Sequence, residues 1–148
     1  MKKLKLISIL SLLFVLNVAS MCSDDDDTST QVSNPTEIAS TLADGQWIVT
    51  LYKENDVVQT SNYSGYNFTF GADGALSATN GSTTQLGDWS SYIDSGYTKL
   101  DLMFTAVDGP FEEISEDWRV ISRTTTKIEL KHISGGDGST DYLTFEKD

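Results

Sequence analysis

Tyr66-Asn67-Phe68-Thr69-Phe70-Gly71-Ala72-Asp73-Gly74-Ala75-Leu76-Ser77-Ala78-Thr79-Asn80-Gly81 is the stretch that decides the fold. Tyr66, Phe68 and Phe70, then Leu76 and Ala78, alternate with small polar residues, which is the period of a strand with one buried face. Gly71 to Gly74 is a hairpin loop whose glycines accept positive φ, and Asn80-Gly81 is a second hairpin signal. Two antiparallel strands and two reversals therefore occupy one short stretch.

The same period runs outward in both directions. Trp47, Val49 and Leu51 alternate upstream. Downstream come Trp89, then Leu100, Leu102 and Phe104, then Trp118, Val120 and Ser122, then Ile128, Leu130 and His132, and finally Leu143 and Phe145. Asp94-Ser95-Gly96 and Gly135-Gly136-Asp137-Gly138 read as turns, and Val107 to Asp117 reads as a loop with a helical turn around Phe111 and Ile114. No segment has the length and period of a helix that could cross between parallel strands. The expectation is all-β: an eight-stranded antiparallel up-and-down barrel, closed because closure removes exposed edges. One short helix precedes it. Asn34 is its cap, Pro35 its first turn and Glu37 the third position of a capping box, with Ile38 and Leu42 as the docking stripe and Gly45 beyond its end.

Strands this short enclose little volume, and the larger alternating set (Trp47, Val49, Leu51, Tyr66, Phe68, Phe70 and their successors) fills it. The expected interior is packed, with at most a shallow cup. Small inward residues Ala78, Gly87 and Ser91 mark where a cup would open, and Trp89, Tyr66 and His132 are its candidate lining residues.

The first residues have a different character. Lys2, Lys3 and Lys5 precede an apolar run from Leu6 to Leu16, followed by Ala19 and Ser20, which is the form of a secretory signal over residues 1–21. The run is shorter than the about 20 residues a spanning helix needs. Removing it leaves 7 basic and 22 acidic residues, a net charge of −15. Such a surface repels phosphate backbones, so nucleic acid is not an expected partner. Residues 22–34 carry Asp24 to Asp27 among Ser, Thr and Gln, the composition of a tether. Its reach is roughly 20 Å by chain statistics. Residues 35–148 form the expected domain.

Val18-Ala19-Ser20-Met21-Cys22 resembles a bacterial lipobox, and Ser23-Asp24-Asp25-Asp26-Asp27 resembles the export signal of Bacteroidetes-type surface lipoproteins. That resemblance implies lipidation of Cys22, anchoring to the outer membrane and exposure on the cell surface. Met21 departs from the small residue usual before the cysteine. Gly45-Gln46-Trp47 after a short helix resembles the opening motif of lipocalins. With Gly87-x-Trp89, Trp118-x-Val120, Ile128-x-Leu130 and the closing Leu143 to Lys147, the segment is similar to small lipocalin-like domains of Bacteroidetes lipoproteins. Gly45 and Trp47 are the fold-marking residues. Larger lipocalins pack a late basic residue on the opening tryptophan; Arg119, Arg123 and Lys127 lie too early for that role and only Lys147 is near the end, so the ligand binding of larger lipocalins is not carried over.

Little here supports chemistry. His132 is the only histidine and Cys22 the only cysteine, so neither a zinc site nor a thiol nucleophile can be assembled, and no catalytic residue, metal or cofactor is expected. Asp137 and Asp141 in a glycine loop lack calcium-loop spacing and read as a hairpin. The expectation is a non-enzymatic binding or interaction module with an unidentified surface partner. The alternative is a carrier of a small apolar ligand in the barrel cup. A hydrolase, the remote alternative, would need His132 beside a serine and a buried carboxylate.

Overall fold

The computed structural model describes residues 33–148. The expected signal peptide, the lipidation site Cys22 and the export signal Ser23 to Asp27 lie outside the described residues.

Helix α1 (Pro35–Leu42) begins as its sequence dictates. Asn34 Oδ1 accepts from the Glu37 N–H at 2.9 Å, and Glu37 Oε2 accepts from the Asn34 N–H at 3.3 Å. These reciprocal bonds satisfy two of the donors that a helix start leaves open. Ile38 and Leu42 are fully buried, and Gly45 at φ +93° turns the chain into the first strand. Ser33, counted with the tether above, already belongs to the fold. It is 3% exposed; its carbonyl accepts from Thr98 Oγ1, and Arg123 Nε donates to its Oγ.

Nine strands follow: β1 (Trp47–Glu54), β2 (Val57–Val58), β3 (Asn67–Phe70), β4 (Ala75–Thr79), β5 (Thr84–Asp94), β6 (Tyr97–Phe104), β7 (Asp117–Arg123), β8 (Lys127–Ile133) and β9 (Thr140–Lys147). All pairings are antiparallel. β3 to β9 pair in sequence, β1 pairs with both β3 and β9, and the result is a closed eight-stranded barrel. β2 is an extra strand on the end of β1. A 3-10 turn (Thr60–Tyr63) and a short helix α2 (Pro110–Glu113) cover the end opposite α1.

Two-residue turns with both residues at positive φ fall at Asn55-Asp56 and Ser95-Gly96. Asn80-Gly81 is not such a turn. Its loop has four residues, because the Asn80 side chain accepts from the N–H groups of Ser82 and Thr83 at 3.0 and 2.8 Å and so builds a wider reversal.

Two bulges correct the expected inward set. Between Val49 and Leu51 the β1–β9 register shifts by one residue. Leu51 consequently leaves the core and Tyr52 enters it at 1% exposure. The second bulge lies between Val120 and Ser122. Past it Ser122 stands opposite Glu129 instead of joining the Trp118 face, and Arg123 takes the register of inward Ile128. Arg123 thereby reaches α1, donating to Thr41 Oγ1 at 3.0 Å and approaching Glu37 Oε2 at 3.4 Å.

Aromatic rings occupy the lumen. Phe68 meets Phe145 at 5.2 Å between ring centroids, Phe70 meets Trp89 at 5.5 Å, and Tyr52 meets Tyr63 at 5.4 Å, all near edge-to-face. A ring burying about 200 Å² contributes roughly 5 kcal/mol of transfer free energy before entropy is counted. Tyr63, from a segment without any period, is 1% exposed and donates its hydroxyl to the Pro110 carbonyl at 2.6 Å. Tyr52→Ala should cost about 3–5 kcal/mol and Leu51→Ala under about 1.5 kcal/mol in denaturant unfolding; equal costs would contradict the bulged register.

Candidate functional site

The residues expected to line a cup are not brought together. Trp89 is 9% exposed, its ring lies against Phe70, and its indole N–H donates to the Gly71 carbonyl at 2.9 Å. Tyr66 packs on Phe111 at 5.0 Å and borders a rim depression of about 470 Å³ with Gln85 and Val107. His132 lies against Trp118 at 5.9 Å and borders a different depression.

The small inward residues are points of close approach, not openings. A Cβ built on Gly87 would lie 2.4 Å from the Met103 carbonyl oxygen and 2.8 Å from the Phe104 Cα. Ala78 is fully buried, and Ser91 donates to the Lys99 carbonyl at 2.9 Å. Trp47 is fully buried, its indole N–H donates to the Leu42 carbonyl at 3.0 Å, and Lys147 Nζ lies 5.9 Å from the ring centroid. Gly45, at φ +93°, lies beside Lys147: a Cβ there would stand 3.0 Å from the flexible Lys147 Cε.

A concavity lies on the outside of the barrel. Tyr97 and Lys99 on β6, Arg119 on β7, and Lys131 and Ile133 on β8 alternate with buried Thr98, Leu100, Trp118 and Leu130, so they face outward. Under the Asp94-Ser95 hairpin tip they border a depression of about 290 Å³. The Arg119 guanidinium carbon stands 3.3 Å from the centroid of the Tyr97 ring. Lys99 Nζ pairs with Asp117 Oδ2 at 2.9 Å. A third depression, of about 330 Å³, is bordered by Lys53, Asp56 and Tyr142.

His132 sits at one edge of the wall depression. Its Nδ1 lies 3.5 Å from Asp117 Oδ1, and its Nε2 lies 4.0 Å from Glu116 Oε2. These three are the side chains among the described residues that could hold a metal ion. The two ring nitrogens face different carboxylates, and Asp117 is already paired to Lys99, so the arrangement suits ion pairing better than coordination. Ser95 shares the depression, but its hydroxyl donates to Asp94 at 3.0 Å rather than standing in hydrogen-bond contact with His132. Asp137 accepts from the Ser139 N–H within a hairpin turn, and Asp141 accepts from the Asn55 N–H, so the glycine loop uses its carboxylates on backbone.

Asp101 stands directly opposite Asp117 in the β6–β7 register. Burial, then the Asp117 charge, push its carboxyl above the ordinary range. The folded state therefore holds this proton at pH values where the unfolded chain has released it, and stability falls as pH rises through that interval. Asp101→Asn should accordingly stabilise the protein at pH 7, and the gain should vanish on acidification below about pH 4, where the unfolded carboxyl is protonated too. Denaturant midpoints across pH measure this, and a gain that persists at low pH would contradict it.

Sequence reasoning missed Lys99, Arg119 and Lys131 as a group. They come from three strands, and only the register aligns them.

No protein-family model matches this chain, and no curated protein sequence matches it. Among solved structures, the fold is similar to that of a DUF4847 family protein from Bacteroides vulgatus, with a TM-score of 0.50 and 16% identity over 75% of this chain and 97% of that one. At that identity the likeness is one of fold: a small closed β-barrel.

Proposed function

We propose that this chain is a lipid-anchored protein of the outer membrane, exposed on the cell surface, whose lipocalin-like barrel binds a ligand or partner on its outer wall and performs no chemistry. The carrying observation is the contrast between a lumen filled with aromatic rings and an outward depression bordered by charged side chains. A carrier of an apolar ligand would need vacant space inside the barrel, and ligand sites commonly start at about 300 Å³. Phe68, Phe70, Phe145, Tyr52 and Trp118 occupy that space.

The lipocalin-like reading is supported by the arrangement of Gly45, Trp47 and Lys147 at the start and close of the barrel. The anchor reading is supported by the lipobox-like Val18 to Cys22 and by the acidic run that follows. No helix among the described residues is long and apolar enough to cross a membrane. In the proposed anchor the acyl chains hold the protein to the membrane, each buried CH₂ adding about 0.8 kcal/mol.

Cys22→Ala should move the protein from the membrane to the soluble fraction. Replacing Asp24 to Asp27 with Ala should keep the anchor and abolish cleavage by protease added to intact cells. Unchanged fractionation of the first variant would sink the lipoprotein reading, and unchanged cleavage of the second would sink the export signal. Native mass spectrometry of the protein purified from its own host tests the binding role: retained ligand or partner supports it.

A further inference from the structure

Lys99, Arg119 and Lys131 stand abreast on adjacent strands. Arg119 is in register with Lys99 on one side and with Lys131 on the other. Tyr92 faces Lys99 and Tyr142 faces Lys131, so tyrosines flank the row. Neighbouring strands lie about 4.8 Å apart, which places three cationic stems within roughly 10 Å. Like charges directly opposite one another destabilise a sheet. This row does so in a domain where carboxylates are plentiful: residues 33–148 hold 18 acidic and 7 basic side chains.

Five of those seven basic residues have a carboxylate within 4 Å: Lys53 with Asp56, Lys99 with Asp117, Arg123 with Glu37, Lys127 with Glu129 and Lys147 with Asp44. Among the described residues Arg119 and Lys131 have none. These two border the wall depression together.

We propose that the Arg119–Lys131 pair is a binding site for the carboxylate of a small ring-bearing monoanion; this deepens the binding-module reading and rests on it. Arg119 is held by its flat face on Tyr97, which fixes the guanidinium while leaving its N–H edges free. A fixed guanidinium edge suits the two oxygens of a carboxylate, and Lys131 adds a point charge beside it. Tyr97 and Ile133, 42% and 57% exposed, supply apolar surface for a ring. A space of about 290 Å³ fits one ring and its substituent. Asp94 and Asp117 on the border oppose a second negative group, which selects a monoanion over a phosphate dianion.

The test uses the purified full-length protein at low salt, where partly exposed ion pairs are least screened. Benzoate and glucuronate are the probes, and benzamide and methyl glucuronate their neutral counterparts, with binding followed by NMR shifts. Saturable binding of either acid without its neutral counterpart is expected. Arg119→Gln should weaken it by about tenfold or more, equivalent to roughly 1.4 kcal/mol. Arg119→Lys should weaken it as well, because the fork is lost. Lys127→Gln, outside the depression, should leave it unchanged. Lys131→Gln should weaken binding yet raise the ligand-free Tm, an opposition of sign that a structural role for the lysine would not produce. Far-UV circular dichroism checks that each variant is folded.

Neither acid saturating at about millimolar concentrations, equal binding of the neutral counterparts, or full binding by both Arg119→Gln and Lys131→Gln would each overturn the site. If the acids fail while host-purified protein retains some other ligand or partner, the carboxylate site falls and the binding-module reading stands. If the host-purified protein carries nothing and the acids fail too, both fall.

Discussion

The three indole N–H groups hold this barrel's irregular parts to its wall. Trp47 donates to the carbonyl of Leu42 at the end of α1, Trp89 to Gly71 in the β3–β4 turn, and Trp118 to Ile114 just past α2. Each ring packs into the core while its one polar atom donates to a backbone carbonyl at a helix end or in a turn, and the Gly71 and Ile114 carbonyls accept as well from the N–H groups of Gly74 and Glu116. A buried indole without such an acceptor carries a desolvation cost of about 1–3 kcal/mol, so the rings and the plugs position one another. The sealed ends and the filled interior are one consequence, because the tryptophans serve both.

A lumen used up by packing leaves the outer wall as the surface on which the proposed site lies. The wall of β6, β7 and β8 carries a short stretch where charge is arranged against the local rules of a sheet, cations abreast on one row and Asp101 facing Asp117 on the next. Neighbouring rows of opposite sign attract along the strands while like charges repel across them. The Lys99–Asp117 pair is the diagonal link between the rows. Like charges facing one another across strands lower the stability of this part of the wall, a condition often met at functional sites.

Local signals were legible and non-local ones were not. Asn34 and Glu37 lie three residues apart, and the capping box they predict is formed. Strand alternation around Phe68, Leu102 and Leu130 likewise survives folding, since each strand keeps its own period. The errors sit where the partner strand decides. Leu51 and Tyr52 exchange faces because β1 spends one residue more than β9 between successive pairings, and Arg123 turns inward by the same extra residue on β7. Tyr63 has no period to betray it. The cation row was invisible because Lys99, Arg119 and Lys131 are distant in sequence and meet only through a register that the bulges themselves adjust.

Ser33 and Asp148, the first and last described residues, lie at one end of the barrel. Ser33 is bonded to Thr98 and Arg123 beside α1, and the Asp148 N–H donates to the Gln46 carbonyl just after α1. The opposite rim consists of the Asn55-Asp56 turn, the four-residue loop that begins with Asn80, the stretch around α2 and the glycine loop before β9. New terminal sequence and new loop sequence would therefore accumulate at opposite poles. The barrel is in that respect a display scaffold, open to grafted peptides at one pole while Ser33 and Asp148 stay gathered at the other.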